Sequence, residues 1–224
     1  MILYLYALVD EEPSGPLGEG IQGEPLRILP QGRLAAVTGS IPERPRPDRE
    51  TLERQDAVVR RLAGLFGAIL PARFGEAFVD EAALANRLAP RESEVSAALS
   101  LVRGCVQMTL RVFGEPELAS EPEVESGGPG TRYLAARRRE SERARSLPEI
   151  EPLREALRPL LRAERIERHE AAGPLLGTAY HLVPREAAGT YLTALEAAKE
   201  KIGGRRVTAT GPWPPYAFAP EADR

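Results

Sequence analysis

Few residues of this chain have a type and spacing that could do chemistry, and the first candidate is a glycine-rich stretch. Residues 18–23, Gly-Glu-Gly-Ile-Gln-Gly, match G-x-G-x-x-G, whose glycines let a helix N-terminus approach a dinucleotide pyrophosphate. That chemistry needs a strand directly before the glycines and an apolar helix directly after them. Here Pro13-Ser-Gly-Pro16 precedes them and Glu24-Pro25 follows. We therefore predict a loop rather than a nucleotide site.

Residues that bind metals or act as nucleophiles are scarce. The chain has two histidines, His169 and His181, and one cysteine, Cys105. A structural zinc site needs four Cys or His ligands at short spacing, so we predict ordinary polar or packed histidines. The alternative is a pair that faces each other across a hairpin. A lone cysteine without an activating neighbour is typically a small buried apolar residue. No metal and no cofactor are expected.

Two groups of arginines are the remaining polar candidates. Arg137-Arg-Arg139, Arg143 and Arg145 place five arginines in nine residues, with two glutamates interleaved. This pattern is typical of a solvated helix with internal ion pairs, predicted over 131–146. The alternative is an electrostatic dock for an acidic surface, such as this chain's own residues 115–125. Arg73-Phe74-Gly75 predicts a tight turn, with anion binding as the alternative.

Composition excludes several classes of protein. No Ser/His/Asp arrangement, P-loop or paired-acid signature stands out among the 33 carboxylates, so we do not expect an enzyme. A net charge of −3, from 30 basic and 33 acidic side chains, does not suggest a nucleic-acid partner. No window approaches the ~18 apolar residues of a membrane span, and the N-terminus lacks the basic region of a signal peptide. We expect a cytoplasmic protein.

The elements that must position these residues predict an α+β fold with two domains, 1–103 and 104–224. In the first domain we expect strands at 2–9, 26–29 and 34–38, a helix at 49–67, a strand and turn at 68–75, and a helical stretch after Asp80 that Pro90 interrupts. Asp48 is the predicted N-cap of the 49–67 helix. The apolar residues that recur at helical spacing there predict its buried face: Leu52, Val59, Leu62 and Phe66.

The second domain has the element order of a ferredoxin-like sandwich. From Gly104 onward we expect a strand at 105–113, a helix pair, a hairpin of strands at 163–170 and 176–183, a helix at 185–202 and a last strand at 206–210. This is a βαββαβ order with an extra helix. Apolar and mostly polar residues alternate along 105–112, which predicts one apolar face and one mostly polar face for the 105–113 strand. Residues 114–130 are acidic and rich in Gly and Pro, which predicts a mobile loop.

The C-terminal tail, 211–224, contains the most unusual stretch of the sequence. Residues 211–218 read Gly-Pro-Trp-Pro-Pro-Tyr-Ala-Phe, with three prolines and three aromatic residues in eight positions. Proline fixes φ and lacks an N–H, so this segment cannot lie in a helix interior or a central strand. Stiff aromatic side chains normally pack against their own protein or a partner. Trp213, Tyr216 and Phe218 are therefore candidates for packing between the domains or for binding a partner.

Several of these stretches resemble the gas vesicle protein GvpL/GvpF family. The tail is similar to that family's ending Gly-Pro-Trp-Pro-Pro-Tyr-Ser-Phe, with Ala217 in place of serine. Residues 69–75, Ile-Leu-Pro-Ala-Arg-Phe-Gly, resemble the family's Leu-Pro-Leu-Arg-Phe-Gly turn, which adds Arg73 and Phe74 to the candidate site. The opening strand and the junction at 104–112 also resemble the family, although Gln107 stands where a glutamate is common.

The resemblance implies a protein needed to assemble gas vesicles, without catalytic residues. It implies contacts with the small hydrophobic shell protein and with other accessory proteins, and a location at the gas vesicle. It also implies two α+β domains, the second a modified ferredoxin-like one. From the residues alone, the alternative is a ligand-binding regulatory module of ferredoxin-like fold.

Overall fold

The computed structural model describes residues 1–115, 137, 146–169, 173–203 and 205–220. Over these ranges the chain is a mixed helix and sheet protein with two compact units. One unit comprises Met1–Gln107 with Pro212–Arg224, and the other comprises Met108–Gly211. The sequence-based division differs from this, because it ended the first domain at residue 103 and left the tail in the second. The tail belongs with the first unit because it packs on that unit's first helix.

The first unit is built on an antiparallel sheet. Its strands run in the order β2-β3-β1-β4, and β5 also pairs with β1. The strands are β1 Ile2–Val9, β2 Leu26–Gln31, β3 Leu34–Ile41, β4 Leu70–Pro71 and β5 Ala77–Phe78. The helices are α1 Arg49–Ala63, α2 Glu81–Leu88 and α3 Glu92–Val102, with a 3₁₀ turn at Ala89–Arg91 where Pro90 interrupts the helical stretch.

A β-bulge in β1 determines on which face of this sheet each side chain of the strand lies. Leu5 lies opposite Thr38 and Ala7 opposite Val37, so the register shifts at Tyr6. Tyr6 and Ala7 consequently both enter the apolar cluster that includes the buried side chains of α1. Leu5 enters a second cluster that includes residues of α2. The apolar run at the start of the sequence is therefore buried on both faces.

Helix α1 is shorter than predicted, and one residue of its predicted buried face is wrong. The Asp48 carboxylate caps it by accepting from the Thr51 N–H at 2.8 Å, as expected. The helix ends at Ala63 because Gly64 turns its N–H back to Arg60 and Arg61. Leu52 is 45% exposed, because the side of the helix that faces the sheet presents Gln55, Val58, Val59 and Leu62.

The glycine-rich stretch forms a loop fastened over the sheet, not a phosphate cradle. The Tyr6 hydroxyl accepts from the Ile21 N–H at 2.9 Å and donates to the Glu24 carboxylate. Glu24 in turn accepts from the Gln22 N–H. Arg61 of α1 donates to the carbonyls of Leu17 and Glu19. The backbone N–H groups that a pyrophosphate would need are thus used to hold the loop.

We expect Gly20→Ala to destabilise the first unit by about 2–3 kcal/mol, because overpacking forces buried groups out of place. A Cβ at this position would overlap the Glu24 carboxylate and the Tyr6 hydroxyl, both of which are held in hydrogen bonds. Urea unfolding followed by circular dichroism measures the loss. Gly189→Ala is the control, since nothing lies within 4 Å of a Cβ there. Equal stability of the two variants would contradict this description of the loop.

We expect Thr38→Val to stabilise the protein by about 1 kcal/mol, because the change removes a buried hydroxyl without a partner. Thr38 is fully buried in β3, and its Oγ1 has no hydrogen bond within the described residues. The matched change Thr178→Val should destabilise instead, since the buried Thr178 Oγ1 lies 2.9 Å from His169 Nε2. Unfolding midpoints of both variants provide the test, and a loss of stability in Thr38→Val would contradict it.

The second unit is built on a four-stranded sheet in the order β7-β8-β6-β9. Its strands are β6 Cys105–Phe113, β7 Ala163–Arg168, β8 Leu175–Pro184 and β9 Arg206–Trp213. Its helices are α4 Glu151–Leu157 and α5 Ala188–Lys199. Short 3₁₀ turns lie at Pro148–Ile150, Arg158–Leu160, Arg185–Ala187 and Glu200–Ile202. Strand β9 continues to Trp213, beyond the predicted end at 210, and as an edge strand it tolerates Pro212.

The alternation predicted for β6 is confirmed on one face and differs on the other. Met108, Leu110 and Val112 enter a single core cluster with side chains of β8, α4 and α5. The opposite face, predicted to be mostly polar, is also buried from Cys105 to Thr109 and becomes exposed only at Arg111. Except for Arg137 and Ser146, the charged helix predicted over 131–146 lies outside the described residues, as does the acidic segment beyond Glu115.

A partly buried polar cluster ties four elements of the second unit together. His181 of β8 is fully buried, with Nδ1 2.8 Å from the Tyr191 hydroxyl and Nε2 3.1 Å from Glu164 Oε1. Arg154 of α4 donates to Glu164 Oε2 at 2.9 and 2.7 Å. Burial opposes charge on Glu164, but the hydrogen bonds from His181 and Arg154 outweigh it and lower the pKa of Glu164 to about 2. Glu164 is therefore a charged anchor between β7, β8 and α4.

Candidate functional site

The C-terminal tail returns to the first unit and lies against α1 and β4. After β9, Pro214 and Pro215 are buried, and Tyr216–Phe218 form a 3₁₀ turn that contacts β4. The backbone N–H of Ala217 donates to Gln107 Oε1 at 2.8 Å, and Gln107 is itself buried. The tail is thus fixed by both apolar burial and a buried hydrogen bond.

One carboxylate of α1 orients two of the tail aromatics. The Tyr216 hydroxyl donates to Asp56 Oδ1 at 3.0 Å, while Asp56 Oδ2 pairs with Arg60 Nε at 2.7 Å. The Arg60 guanidinium lies over the Trp213 ring, 4.2 Å from its centroid, a distance at which a cation is attracted to the face of an indole. Burial, followed by the charge and hydrogen bond of Asp56, raises the pKa of Tyr216. The phenol therefore remains a protonated donor at neutral pH.

The turn at Arg73–Gly75 is fastened to the same helix. Gly75 has a φ of +81°, which glycine adopts without strain, and its N–H donates to the Tyr4 hydroxyl at 2.9 Å. Gln55 of α1 donates to the Ala72 carbonyl and accepts from the Tyr4 hydroxyl. The turn is therefore held through two buried polar side chains of β1 and α1.

Strand β4, which leads into the turn, contacts Tyr216–Phe218, and the neighbouring residues Gln55 and Asp56 of α1 bond the turn and the tail respectively. We call this region the tail–turn surface and define it by the five residues predicted from the sequence: Arg73, Phe74, Trp213, Tyr216 and Phe218. Tyr216 is 36% exposed and Arg73 is exposed, whereas the other three are half-buried. The structure thus brings together residues that lie some 140 positions apart in the chain.

The residues that support this surface were not identified from the sequence. Asp56, Arg60 and Gln55 lie on a helix for which the sequence predicted only the apolar face, and Gln107 was noted because it replaces a glutamate, not because of a contact. Asp56 and Arg60 do have the i,i+4 spacing of an ion pair. That spacing could have indicated the pair, but not the tail residues on which it acts.

We expect Tyr216→Phe to lower stability by about 1 kcal/mol, the typical net contribution of one hydrogen bond. The ring and its packing remain, so the change isolates the bond to Asp56. Asp56→Asn is the companion variant, since it weakens both the bond to Tyr216 and the pair with Arg60. Chemical unfolding should rank Asp56→Asn as the larger loss, and the reverse order would contradict the proposed orienting role of Asp56.

The other candidate residues do not form sites in the described part of the chain. His169 and His181 do not face each other, because His181 lies opposite Glu164 in the strand register and His169 pairs with Thr178. Cys105 is buried. No group of three His, Cys, Asp or Glu side chains suited to a metal occurs among the described residues. None of the described helices is long and apolar enough to cross a membrane. In the arginine-rich segment only Arg137 is described, and it is exposed.

A cavity lies at the start of β7 in the second unit. It has a volume of about 500 Å³ and is lined by Leu161, Ala163 and charged side chains of α4 and its neighbours. The charged residues are Glu151, Arg154, Glu155, Arg158, Arg162 and Glu164. Three arginines and three glutamates balance in charge, so the cavity has no net preference for an anion or a cation.

Comparison with known proteins identifies the class of this chain. Residues 2–220 match the family described as gas vesicle synthesis protein GvpL/GvpF. Gas vesicle protein F of Streptomyces sp. (strain CB03234) is 28% identical over 97% of this chain and 99% of the relative. Gas vesicle protein L of the same organism is 29% identical over 96% of this chain and 92% of the relative. The chain therefore belongs to the GvpL/GvpF family, and the predicted resemblance is confirmed.

Solved structures agree with the fold. The crystal structure of the gas vesicle protein GvpF from Anabaena sp. PCC7120 superposes with a TM-score of 0.74, at 15% identity, over 99% of this chain and 97% of that one. GvpF from Microcystis aeruginosa gives a TM-score of 0.73, at 17% identity, over 98% and 99%. Family membership supports a gas vesicle role, and the structures show that the chain shares the GvpF fold.

Proposed function

We propose that this protein is an accessory or minor structural protein of gas vesicle assembly, and that it binds the hydrophobic shell protein or other accessory proteins through the tail–turn surface. The observation that carries the proposal is the fixed presentation of Tyr216, Trp213 and Phe218 beside the Arg73–Gly75 turn. On this proposal the protein works in the cytoplasm at the growing vesicle.

The physical argument rests on the low entropic cost of binding at a surface that is already ordered. The prolines of the tail, the Asp56 bond and the Arg60 stack fix the aromatics before any partner arrives. Preorganised aromatic side chains lose little conformational freedom on association, and tyrosine and tryptophan are enriched among residues that dominate binding energy. A small hydrophobic protein has apolar surface to offer such residues.

We also propose that the protein has no enzymatic activity and that assembly depends on binding alone. His169, His181, Glu24 and Glu164 take part in hydrogen bonds that hold the fold, as given above, and Cys105 is buried. In particular, His181 Nδ1 lies 2.8 Å from the Tyr191 hydroxyl and Nε2 lies 3.1 Å from Glu164 Oε1, so both ring nitrogens have partners within the fold. The proposal therefore requires vesicle formation to depend on surface residues rather than on a titratable group.

The experiment is capture of the purified shell protein by the immobilised full-length chain. The wild type should retain the shell protein, and Tyr216→Ser should retain at least tenfold less, which corresponds to about 1.4 kcal/mol. Leu192→Ser is the matched control, since Leu192 is 40% exposed and lies on α5 of the other unit. Equal capture by all three proteins would contradict the proposal.

We propose in addition that the second unit is a ferredoxin-like domain. Numbered within the unit, its strands run in the order 2-3-1-4, and helix α5 joins the third strand to the fourth. The βαββαβ order and this arrangement together support the assignment. Solving the segment between β6 and α4 experimentally would test it, since the assignment requires the first crossover to lie on the same face as α5.

A second candidate function, a ligand-binding regulatory module, is favoured by the cavity beside α4. The cavity places Arg154 and Glu164 in its wall, and both belong to the partly buried polar cluster that joins four elements. A ligand there would act on the stability of the whole unit. A thermal-shift screen with cytoplasmic metabolites tests it: a rise in melting temperature that Arg158→Ala abolishes would support it, and no rise would contradict it.

A further inference from the structure

We infer that the partner segment bound at the tail–turn surface carries a carboxylate beside its apolar side chains, and that Arg73 pairs with that carboxylate. This inference rests on the proposed function and adds the chemistry of the partner. It begins from the charge distribution around the tail–turn surface.

Three of the four arginines on α1 pair with a carboxylate of the same helix, and the fourth, Arg61, donates to the carbonyls of Leu17 and Glu19. Arg49 pairs with Glu53 at 2.7 Å, Arg54 with Glu50 at 2.6 Å, and Arg60 with Asp56 at 2.7 Å. Each ion pair spans one helical turn and neutralises its arginine, while the Arg61 guanidinium is held by the 17–19 loop. Such pairs add little attraction for an outside charge, because each cation is screened by its own carboxylate.

Arg73 differs from these arginines. Its guanidinium is exposed and makes no ion pair or hydrogen bond with the described residues, although its backbone carbonyl accepts from the Glu76 N–H. The next residue, Phe74, is half-buried, and the turn that holds both is fixed through Gly75 and Ala72. The surface therefore combines one uncompensated cation with the aromatic side chains of the turn and the tail.

This combination selects among partners. An apolar partner that covered the aromatics would also remove water from Arg73, and an arginine that loses water without gaining a counter-charge is destabilising. A carboxylate restores the lost interactions best, because the guanidinium fork binds it with two parallel hydrogen bonds. A partner segment with an aspartate or glutamate beside apolar side chains satisfies both parts of the surface, whereas a basic segment is rejected.

The test uses synthetic peptides that tile the shell protein, with binding to the full-length chain followed by fluorescence anisotropy. Peptides that bind should contain an acidic residue, and replacing it by Asn or Gln should weaken binding to the wild type about tenfold. Arg73→Glu should weaken binding of the unchanged peptide by at least as much. Arg73→Glu should recover affinity for the peptide in which the acidic residue is replaced by lysine.

The control is Arg33→Glu, which makes the same charge change at an exposed residue in the β2–β3 turn, at the other end of the strand order from β4. It should bind every peptide as the wild type does. If the wild type binds peptides and Arg73→Glu binds them equally well, or if Arg33→Glu loses as much affinity, the inference about Arg73 is wrong while the proposed function stands. If the wild type binds neither the peptides nor the intact shell protein, the proposed function fails and the inference with it.

Discussion

Replacing Glu164 by glutamine is expected to lower the free energy of unfolding at pH 7 by about 3 kcal/mol, since the folded structure lowers the pKa of Glu164 to about 2. Glu164 is 18% exposed and accepts hydrogen bonds from Arg154 and His181. A neutral amide keeps the shape of the side chain but leaves Arg154 without its main counter-charge. Breaking a partly buried ion pair by removing one partner costs a similar amount in other proteins.

The stability lost in Glu164→Gln should depend on pH. The pKa of Glu164 is lowered from 4.5 to about 2 by the folded environment. The stabilisation is therefore fully present above the unfolded pKa of 4.5 and is lost as pH falls toward 2. The stability gap between wild type and Glu164→Gln should be widest above pH 5 and should close toward pH 2.

Urea unfolding at a series of pH values measures this gap. Glu155→Gln, an exposed change on the same side of the cavity, is the control and should match the wild type throughout. A gap that stayed constant from pH 7 to pH 2 would contradict the assignment of Glu164 as the charged anchor. It would point instead to a packing defect in the variant.

Trp213→Ala is expected to lower the stability of the first unit by about 2–3 kcal/mol and to abolish vesicle formation. The half-buried ring packs beneath Arg60, and removal of a large aromatic costs up to 3–5 kcal/mol where burial is complete. Trp213→Phe retains a ring for Arg60 and should restore much of the stability. The measurements are unfolding in vitro and flotation of cells in which the variant is the only copy.

The pair of readouts separates a packing role from a binding role. A loss of stability with normal vesicles would make Trp213 a packing residue alone. A loss of vesicles in a variant that is stable and folded at the growth temperature would assign it to the partner surface. If Trp213→Ala left both stability and vesicle formation unchanged, the packing role and the binding role would both be contradicted.

Local signals in the sequence predicted much of the fold, because they depend on neighbouring residues. Asp48 and Asp80 cap helices where expected, and the alternation from Met108 to Val112 places one face of β6 in the core. The proline at position 90 breaks the helical stretch as predicted. The family was identifiable for the same reason, since the tail motif lies within eight consecutive residues.

What the sequence could not supply depends on contacts between distant residues. The bulge at Tyr6 changes the face of the sheet on which the following side chains lie, and no local pattern in the sequence indicates it. Leu52 fits the helical apolar stripe and is nevertheless exposed, because buried Gln55 takes the inner position to bond Tyr4. The tail was grouped with the preceding strand, whereas Asp56, Arg60 and Gln107 hold it to the first unit.

The most direct test of the proposed function is site-specific photocrosslinking in cells that are forming gas vesicles. A photoreactive amino acid at position 216 samples whatever covers the tail–turn surface, and the same group at position 192 samples an equally exposed site elsewhere. We predict crosslinks to the shell protein or to another gas vesicle protein from position 216 and none from position 192. No crosslink from position 216, or the same products from both positions, would contradict the proposal that the tail–turn surface is where this protein binds its partner.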